Sequence, residues 1–188
     1  RGLGDVYKRQ INLSATDGNW AVTASKLTTI LGVGVRLVGD LTVTGITDEA
    51  AALTDYTSVK TGADSVTLTG DGAWTVAAAQ LTTALNTTAE TGAKIKFAAT
   101  DTLTVTDIAA GAAETAALTA FTAPLTGAKS VTLTAADSNW SVATADLATA
   151  LTAGVKFAGT LTVTGIASSA ETAALTAYTN SITGAATN

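Results

Sequence analysis

Residues Gly154–Ile166 read GVKFAGTLTVTGI; nearly the same string stands at Gly34–Ile46, GVRLVGDLTVTGI, and a longer variant at Lys94–Ile108, KIKFAATDTLTVTDI. In each copy Leu and Val alternate with Thr, as in Leu161-Thr162-Val163-Thr164. Successive side chains of a strand point to opposite faces, so one face is apolar and the other carries hydroxyls. The stretch reads as a half-buried strand, and its recurrence makes the chain a tandem repeat.

Outward from this strand, the repeats alternate between two kinds. The first opens on a strand at Ile11-Asn12-Leu13-Ser14, Val66-Thr67-Leu68-Thr69 or Val131-Thr132-Leu133-Thr134. It passes through a polar turn, such as Asp17-Gly18-Asn19 or Asp137-Ser138-Asn139, to Trp20, Trp74 or Trp140. Asp and Asn suit the turn because their side chains bond the backbone, and Gly because it tolerates positive φ. Val22, Val76 and Val142 follow two residues later on the same strand face. The period then switches, with Leu27, Ile30 and Leu31, Leu81, Ala84 and Leu85, and Leu147, Ala150 and Leu151 at helical spacing.

The second kind begins with the TVT strand at Leu41, Leu103 or Leu161 and continues into a helix-favouring stretch with Glu49, Glu114 or Glu171 near its start. In the last copy Ser168 and Glu171 have capping-box spacing. Leu53 and Tyr56, Leu118 and Phe121, and Leu175 and Tyr178 form matching i, i+3 apolar pairs. Gly62-Ala63, Gly127-Ala128 and Gly184-Ala185 close each unit, with Gly as the helix stop.

The strand starts Ile11, Leu41, Val66, Leu103, Val131 and Leu161 are 25 to 37 residues apart, the longest gap holding an inserted segment at Asn86–Ala93 (NTTAETGA) that belongs in a surface loop. One strand per period of this length signifies a solenoid. The expected fold is therefore α/β, a right-handed solenoid of about six stacked strand-turn-helix coils with one parallel sheet. Residues 11–188 form a single repeat domain of three double coils, 11–63, 64–128 and 129–188. The chain stops where the next SVTLT strand would begin, which predicts a window of a longer array whose partners are neighbouring repeats.

Residues 1–10, RGLGDVYKRQ, match no repeat. They resemble the in-frame translation of the transposase adapter used to prepare DNA sequencing libraries. That resemblance marks them as artefactual and the chain as a metagenomic fragment, so they are left out of fold reasoning. The decapeptide holds Arg1, Lys8 and Arg9 against Asp5; without it the 10 basic and 15 acidic residues become 7 and 14, a net charge of −7. Thinly spread acidic charge with no basic patch argues against nucleic acid as partner. No apolar run approaches the roughly 20 residues needed to span a bilayer, so membrane insertion is not expected.

With no Cys and no His, thiol catalysis, disulfides and zinc sites built on those ligands are excluded. Acidic residues are scattered without a convergent pair, so no catalytic residue, cofactor or metal is assigned and an enzyme is not expected. Two surfaces remain as binding candidates. The first is a Thr-x-Thr array: Thr42 and Thr44, Thr67 and Thr69, Thr104 and Thr106, Thr132 and Thr134, Thr162 and Thr164. Stacked at about 4.8 Å these would form two parallel hydroxyl files, although Thr is also an ordinary solvent-facing strand residue. The second is the set of three Trp, an aromatic ladder for sugar rings if exposed; the Trp-x-Val alternation favours core packing.

The regular Thr-x-Thr array resembles the ice-binding face of antifreeze β-solenoids, which implies a lattice-matched surface. The helical segments and variable coil lengths depart from that family. Leucine-rich repeats have a similar period, yet the place of their Asn ladder holds Gly45, Asp107 and Gly165. As a whole, the Ala/Thr/Gly-rich, Cys-free, acidic repeats resemble those of large secreted or surface-attached bacterial proteins called adhesin-like. That resemblance implies an extracellular or cell-surface location. It also implies a non-catalytic structural or adhesive module and no particular receptor, so a polysaccharide, a host protein or ice stay open as surface ligands.

Overall fold

A computed structural model describes residues 11–85, 95–167 and 178–179. The adapter-like decapeptide, the inserted segment at 86–93, the Ser168/Glu171 pair, Leu175 and the last Gly-Ala closure lie outside the described residues. What is described is mixed α/β, with every strand pairing parallel.

Each repeat of the first kind runs from strand into helix. β1 (Ile11–Thr23) leads to α1 (Ala24–Gly32), β3 (Ser65–Leu68) and β4 (Ala73–Ala77) lead to α4 (Ala78–Leu85), and β7 (Ser130–Ala143) leads to α7 (Thr144–Thr152). The first two of the second kind run from strand into two short helices. β2 (Val35–Thr44) precedes α2 (Glu49–Asp55) and α3 (Ser58–Thr61), while β5 (Ile95–Phe97) and β6 (Thr102–Ile108) precede α5 (Ala112–Ala120) and α6 (Ala123–Thr126). β8 (Val155–Thr164) opens the third. The helices stand where the apolar period changes, and they bury Leu27, Leu53, Leu81, Leu118 and Leu147. Asp48 caps α2 by accepting from the Ala51 N–H at 2.9 Å, and Gly127 ends α6 in the left-handed conformation.

The strands do not form one sheet, as expected, but two four-stranded sheets in the orders β1-β2-β3-β5 and β4-β6-β7-β8. The register explains why. Each long strand has two legs, and from a first-kind coil to a second-kind coil leg pairs with like leg: Ile11–Ser14 with Val35–Val38, and Asn19–Thr23 with Asp40–Thr44. At the next step the second leg of β2 pairs with the first leg of its successor, Leu41 opposite Val66 and Val43 opposite Leu68. The same offset recurs at Leu103 opposite Val131 and Val105 opposite Leu133. Alternation in the sequence fixes which face a residue occupies, but not which leg lies beside it. The sheet therefore steps sideways once per double coil.

Two inward rows of side chains follow from that register. Trp20, Leu41, Val66 and Ile95 lie side by side in the first sheet, matched by Trp74, Leu103, Val131 and Val155 in the second. Behind them run Val22, Val43, Leu68 and Phe97, matched by Val76, Val105, Leu133 and Phe157. Except for Trp20 and Val22, on the edge strand of the first sheet, these residues are buried and join the helical leucines in one core. The bends between legs are tight. Gly39 (φ +107°) and Gly159 (φ +98°) lie where a Cβ would collide with the carbonyls of Gly18 and Ser138, so only glycine lets the neighbouring turn approach.

Candidate functional site

The sheet face turned away from the helices carries the Thr array. Its central Thr residues are brought together in part. Across the first sheet the outward row is Ala21, Thr42, Thr67 and Lys96; across the second it is Thr75, Thr104, Thr132 and Lys156. Thr42, Thr44, Thr67, Thr69, Thr104, Thr106, Thr132 and Thr134 are half-buried, whereas Thr162 and Thr164 on β8 are exposed. The remaining members meet other residues: Thr44 lies opposite Thr23, Thr106 opposite Ala77, Thr134 opposite Ala158, Thr162 opposite Ser141 and Thr164 opposite Ala143. Thr69 follows β3 and donates its N–H to the Val43 carbonyl at 2.9 Å. Two continuous hydroxyl files therefore do not form. The sideways step breaks them, and Lys96 and Lys156 close the rows at strands that carry IKF and VKF in place of a Thr pair.

The Trp residues belong to the core. Trp74 and Trp140 are each 1% exposed, and Trp20 is half-buried. Their ring N–H groups are satisfied inside the fold, Trp20 donating to the Val38 carbonyl at 3.0 Å and Trp140 to the Ala158 carbonyl at 3.1 Å. Trp74 departs from this pattern and donates to the carboxylate of Asp101 at 2.9 Å. Sequence reasoning passed over Asp101, yet it is 2% exposed and also accepts from the Gly70 N–H at 3.0 Å and the Thr100 hydroxyl at 3.1 Å. A signal was present. The second-kind strand carries FAATDTLTV at 97–105 where its counterparts read LVGDLTV and FAGTLTV, and the facing turn is one residue shorter.

The polar turns fold as the sequence predicts. The N–H groups of Asn19 and Asn139 donate to Asp17 and Asp137 side chains at 3.1 and 3.0 Å, so these carboxylates serve an Asx turn. Glu49 holds the next coil by accepting from the Thr75 N–H at 2.8 Å. Its counterpart Glu114, 3% exposed, accepts instead from the Gly111 N–H at 3.1 Å. Gly111 has no side chain to return the bond, so only the carboxylate half of a capping box forms. Among the described residues no three potential metal ligands cluster.

An open groove of about 410 Å³ lies on the first double coil, lined by Thr28, Leu31, Arg36, Asp55, Tyr56 and Lys60. Lys60 bridges to Asp55 at 3.0 Å with both side chains more than half exposed, a pairing of small energetic weight. The Tyr56 hydroxyl lies 3.0 Å from that of Thr28 and donates to the Ala24 carbonyl at 3.3 Å, tying α2 to the start of α1. Tyr178 repeats the contact on Thr144 at 3.5 Å. The charged pair of the groove is not repeated in the next double coil, where Asp55 and Lys60 align with Ala120 and Leu125.

The chain matches no protein-family model, and comparisons with curated proteins and with solved structures return no significant similarity. No helix among the described residues is long and apolar enough to cross a membrane.

Proposed function

We propose that the chain is a non-catalytic structural or adhesive repeat module of a larger extracellular bacterial protein, built as a right-handed solenoid of about six coils. One observation carries this reading: the row Trp74, Leu103, Val131, Val155 repeats Trp20, Leu41, Val66, Ile95 position for position in register, with Val in place of Ile at the last strand. An architecture that reproduces its own junction extends by adding units, each stabilised by its neighbours. Composition supports the extracellular setting. The charged pair lining the groove of the first double coil is absent from the second, as expected of surface without a shared ligand.

The other binding readings have less support. A sugar-stacking ladder needs at least two exposed, coplanar Trp, and Trp74 and Trp140 are buried. An ice-matched face needs long flat files, and the Thr rows end at Lys96 and Lys156.

The test is an internal deletion of residues 64–128, which joins Ala63 to Lys129 at equivalent positions. The shortened chain should stay folded by circular dichroism and lose roughly 10 Å of length in solution scattering, two strand spacings. Global unfolding of the deletion variant would refute a modular stack.

A further inference from the structure

Each sideways step leaves the strand that begins beyond it with an open edge. After the first step that strand is β4, paired only with β6. After the second it is the second leg of β7, residues 139–143, paired only with β8. Thr75 and Ser141 are equivalent on these two legs, Thr75 opposite Thr104 and Ser141 opposite Thr162. Backbone N–H groups in the same register of a parallel ladder point the same way, so that of Ser141 faces the preceding coil as that of Thr75 does.

At the first step the edge is held. Glu49, at the start of α2, crosses to the next coil and accepts from the Thr75 N–H at 2.8 Å. Glu114 has the same place in the repeat, four residues before Leu118 as Glu49 is four before Leu53, and α5 packs on β7. Its Oε2 nevertheless accepts from the Gly111 N–H at 3.1 Å, within its own helix cap. Oε1 is then the one buried side-chain nitrogen or oxygen without a partner among the described residues. Such an acceptor, in a side chain 3% exposed, costs free energy and calls for a donor.

Loop length explains the difference. Glu49 follows Thr44 by five residues, whereas Glu114 follows Thr106 by eight. The three extra residues let α5 begin at Ala112, so that Glu114 lies inside its first turn and Gly111 offers a local donor. In the shorter loop α2 begins at Glu49 itself, and Asp48 already serves the cap.

We propose that this glutamate is a two-position latch on the sheet edge, shut at Glu49 and open at Glu114, whose free Oε1 is the acceptor for the Ser141 N–H. The length of the preceding loop sets the position. Shut, the carboxylate occupies a donor through which another strand would add to the edge. The inference rests on register and hydrogen bonding, and does not depend on an adhesive role or an extracellular location.

Amide hydrogen exchange, read residue by residue by NMR on the full chain, tests it. Thr75 should be roughly tenfold better protected than Ser141, the worth of a bond to a carboxylate. Glu49→Ala should bring Thr75 down to the Ser141 level and leave Ser141 unchanged. Deleting residues 109–111 gives the second double coil the loop length of the first and should raise Ser141 to the Thr75 level. Adding Glu114→Ala to that deletion should abolish the gain. Should the deletion unfold the chain by circular dichroism, the reverse change replaces it: Ala-Ala-Gly inserted after Ile46 should free Thr75. Equal protection of Thr75 and Ser141 in the wild type overturns the proposal. So does Thr75 protection that survives Glu49→Ala, or a folded loop-length variant in which the targeted amide does not change.

Discussion

Replacing Asp101 by Ala should be among the most damaging polar-to-apolar changes in the chain, although the residue looks like a loop aspartate. Its carboxylate accepts from the Trp74 ring N–H at 2.9 Å, the Gly70 N–H at 3.0 Å and the Thr100 hydroxyl at 3.1 Å. Thr100 is exposed and recovers its bond from water. The ring N–H of Trp74, in a side chain 1% exposed, does not. Leaving a buried donor unmade costs about 1–3 kcal/mol, and the half-buried Gly70 N–H adds to it, so Asp101→Ala should cost about 3 kcal/mol. For a chain of this size that is a fall in Tm of roughly 6–12 °C.

Asp101→Asn keeps one acceptor oxygen and should lose about half as much, the charge-assisted part of the bonds. Trp74→Phe removes the donor together with the need for it, so the double variant Trp74→Phe/Asp101→Ala should fall short of the sum of the singles by about 1–2 kcal/mol. Asp40→Ala is the control, because that carboxylate is exposed and accepts from Ser65 at 2.6 Å; it should cost less than about 1 kcal/mol. Urea unfolding followed by circular dichroism measures all five variants, the Trp74→Phe single included. An Asp101→Ala variant within about 0.5 kcal/mol of wild type, or strictly additive singles, would refute the reasoning.

Three further outcomes follow from the same geometry, each read by the same unfolding assay. Gly159→Ala should destabilise by about 2–4 kcal/mol, since its Cβ meets the Ser138 carbonyl, whereas Gly165→Ala (φ +72°), with open space around it, should cost only about 1 kcal/mol. Gly32→Ala at the end of α1, where φ is not positive and no atom lies within 4 Å of the new Cβ, should stabilise by about 0.5 kcal/mol; Thr152 already fills the equivalent place in α7. Phe157→Ala should cost about 3–5 kcal/mol, while Phe157→Leu should cost about 1 kcal/mol, because Leu37 occupies the matching position of the first double coil.

Much of this was legible in the sequence because it concerns single elements. Alternation placed Leu41, Val43, Leu103 and Val105 inward and Thr outward; i, i+3 spacing placed Leu27, Leu81 and Leu147 on helices; Trp-x-Val turned the indoles inward. What stayed hidden concerns pairs of elements. Nothing in LTVT says whether its neighbour is a like leg or an unlike one, since both bring apolar beside apolar and Thr beside Thr. Only the Lys of IKF and VKF marks where a row ends, and that residue lies outside the repeated Thr pattern. The partner of Trp74 was hidden for a related reason: two compensating length changes, a shorter turn before the Trp and a longer bend before Leu103, are visible singly but acquire meaning only when the two segments are adjacent.

The sideways step also accounts for the aromatic residues. Each complete sheet begins on a Trp-bearing edge strand and ends on an edge strand carrying Phe97 or Phe157. Trp74, on the first strand of the second sheet, meets Phe97, on the last strand of the first, at 5.0 Å, and within the second sheet Trp140 on β7 meets Phe157 on β8 at 5.1 Å, both edge to face. Such a pair contributes about 0.5–1.5 kcal/mol beyond its buried area. Trp140 adds a ring N–H bond to the carbonyl of Ala158, which follows Phe157 on the facing strand. The Trp74 indole thus links the two sheets by side-chain contact, and the lysine facing outward from the Phe-bearing strand discourages any other strand from adding there. A solenoid of identical coils would have neither the gap nor the need to bridge it. The alternation of two coil kinds and the one Trp per double coil are two aspects of the same step.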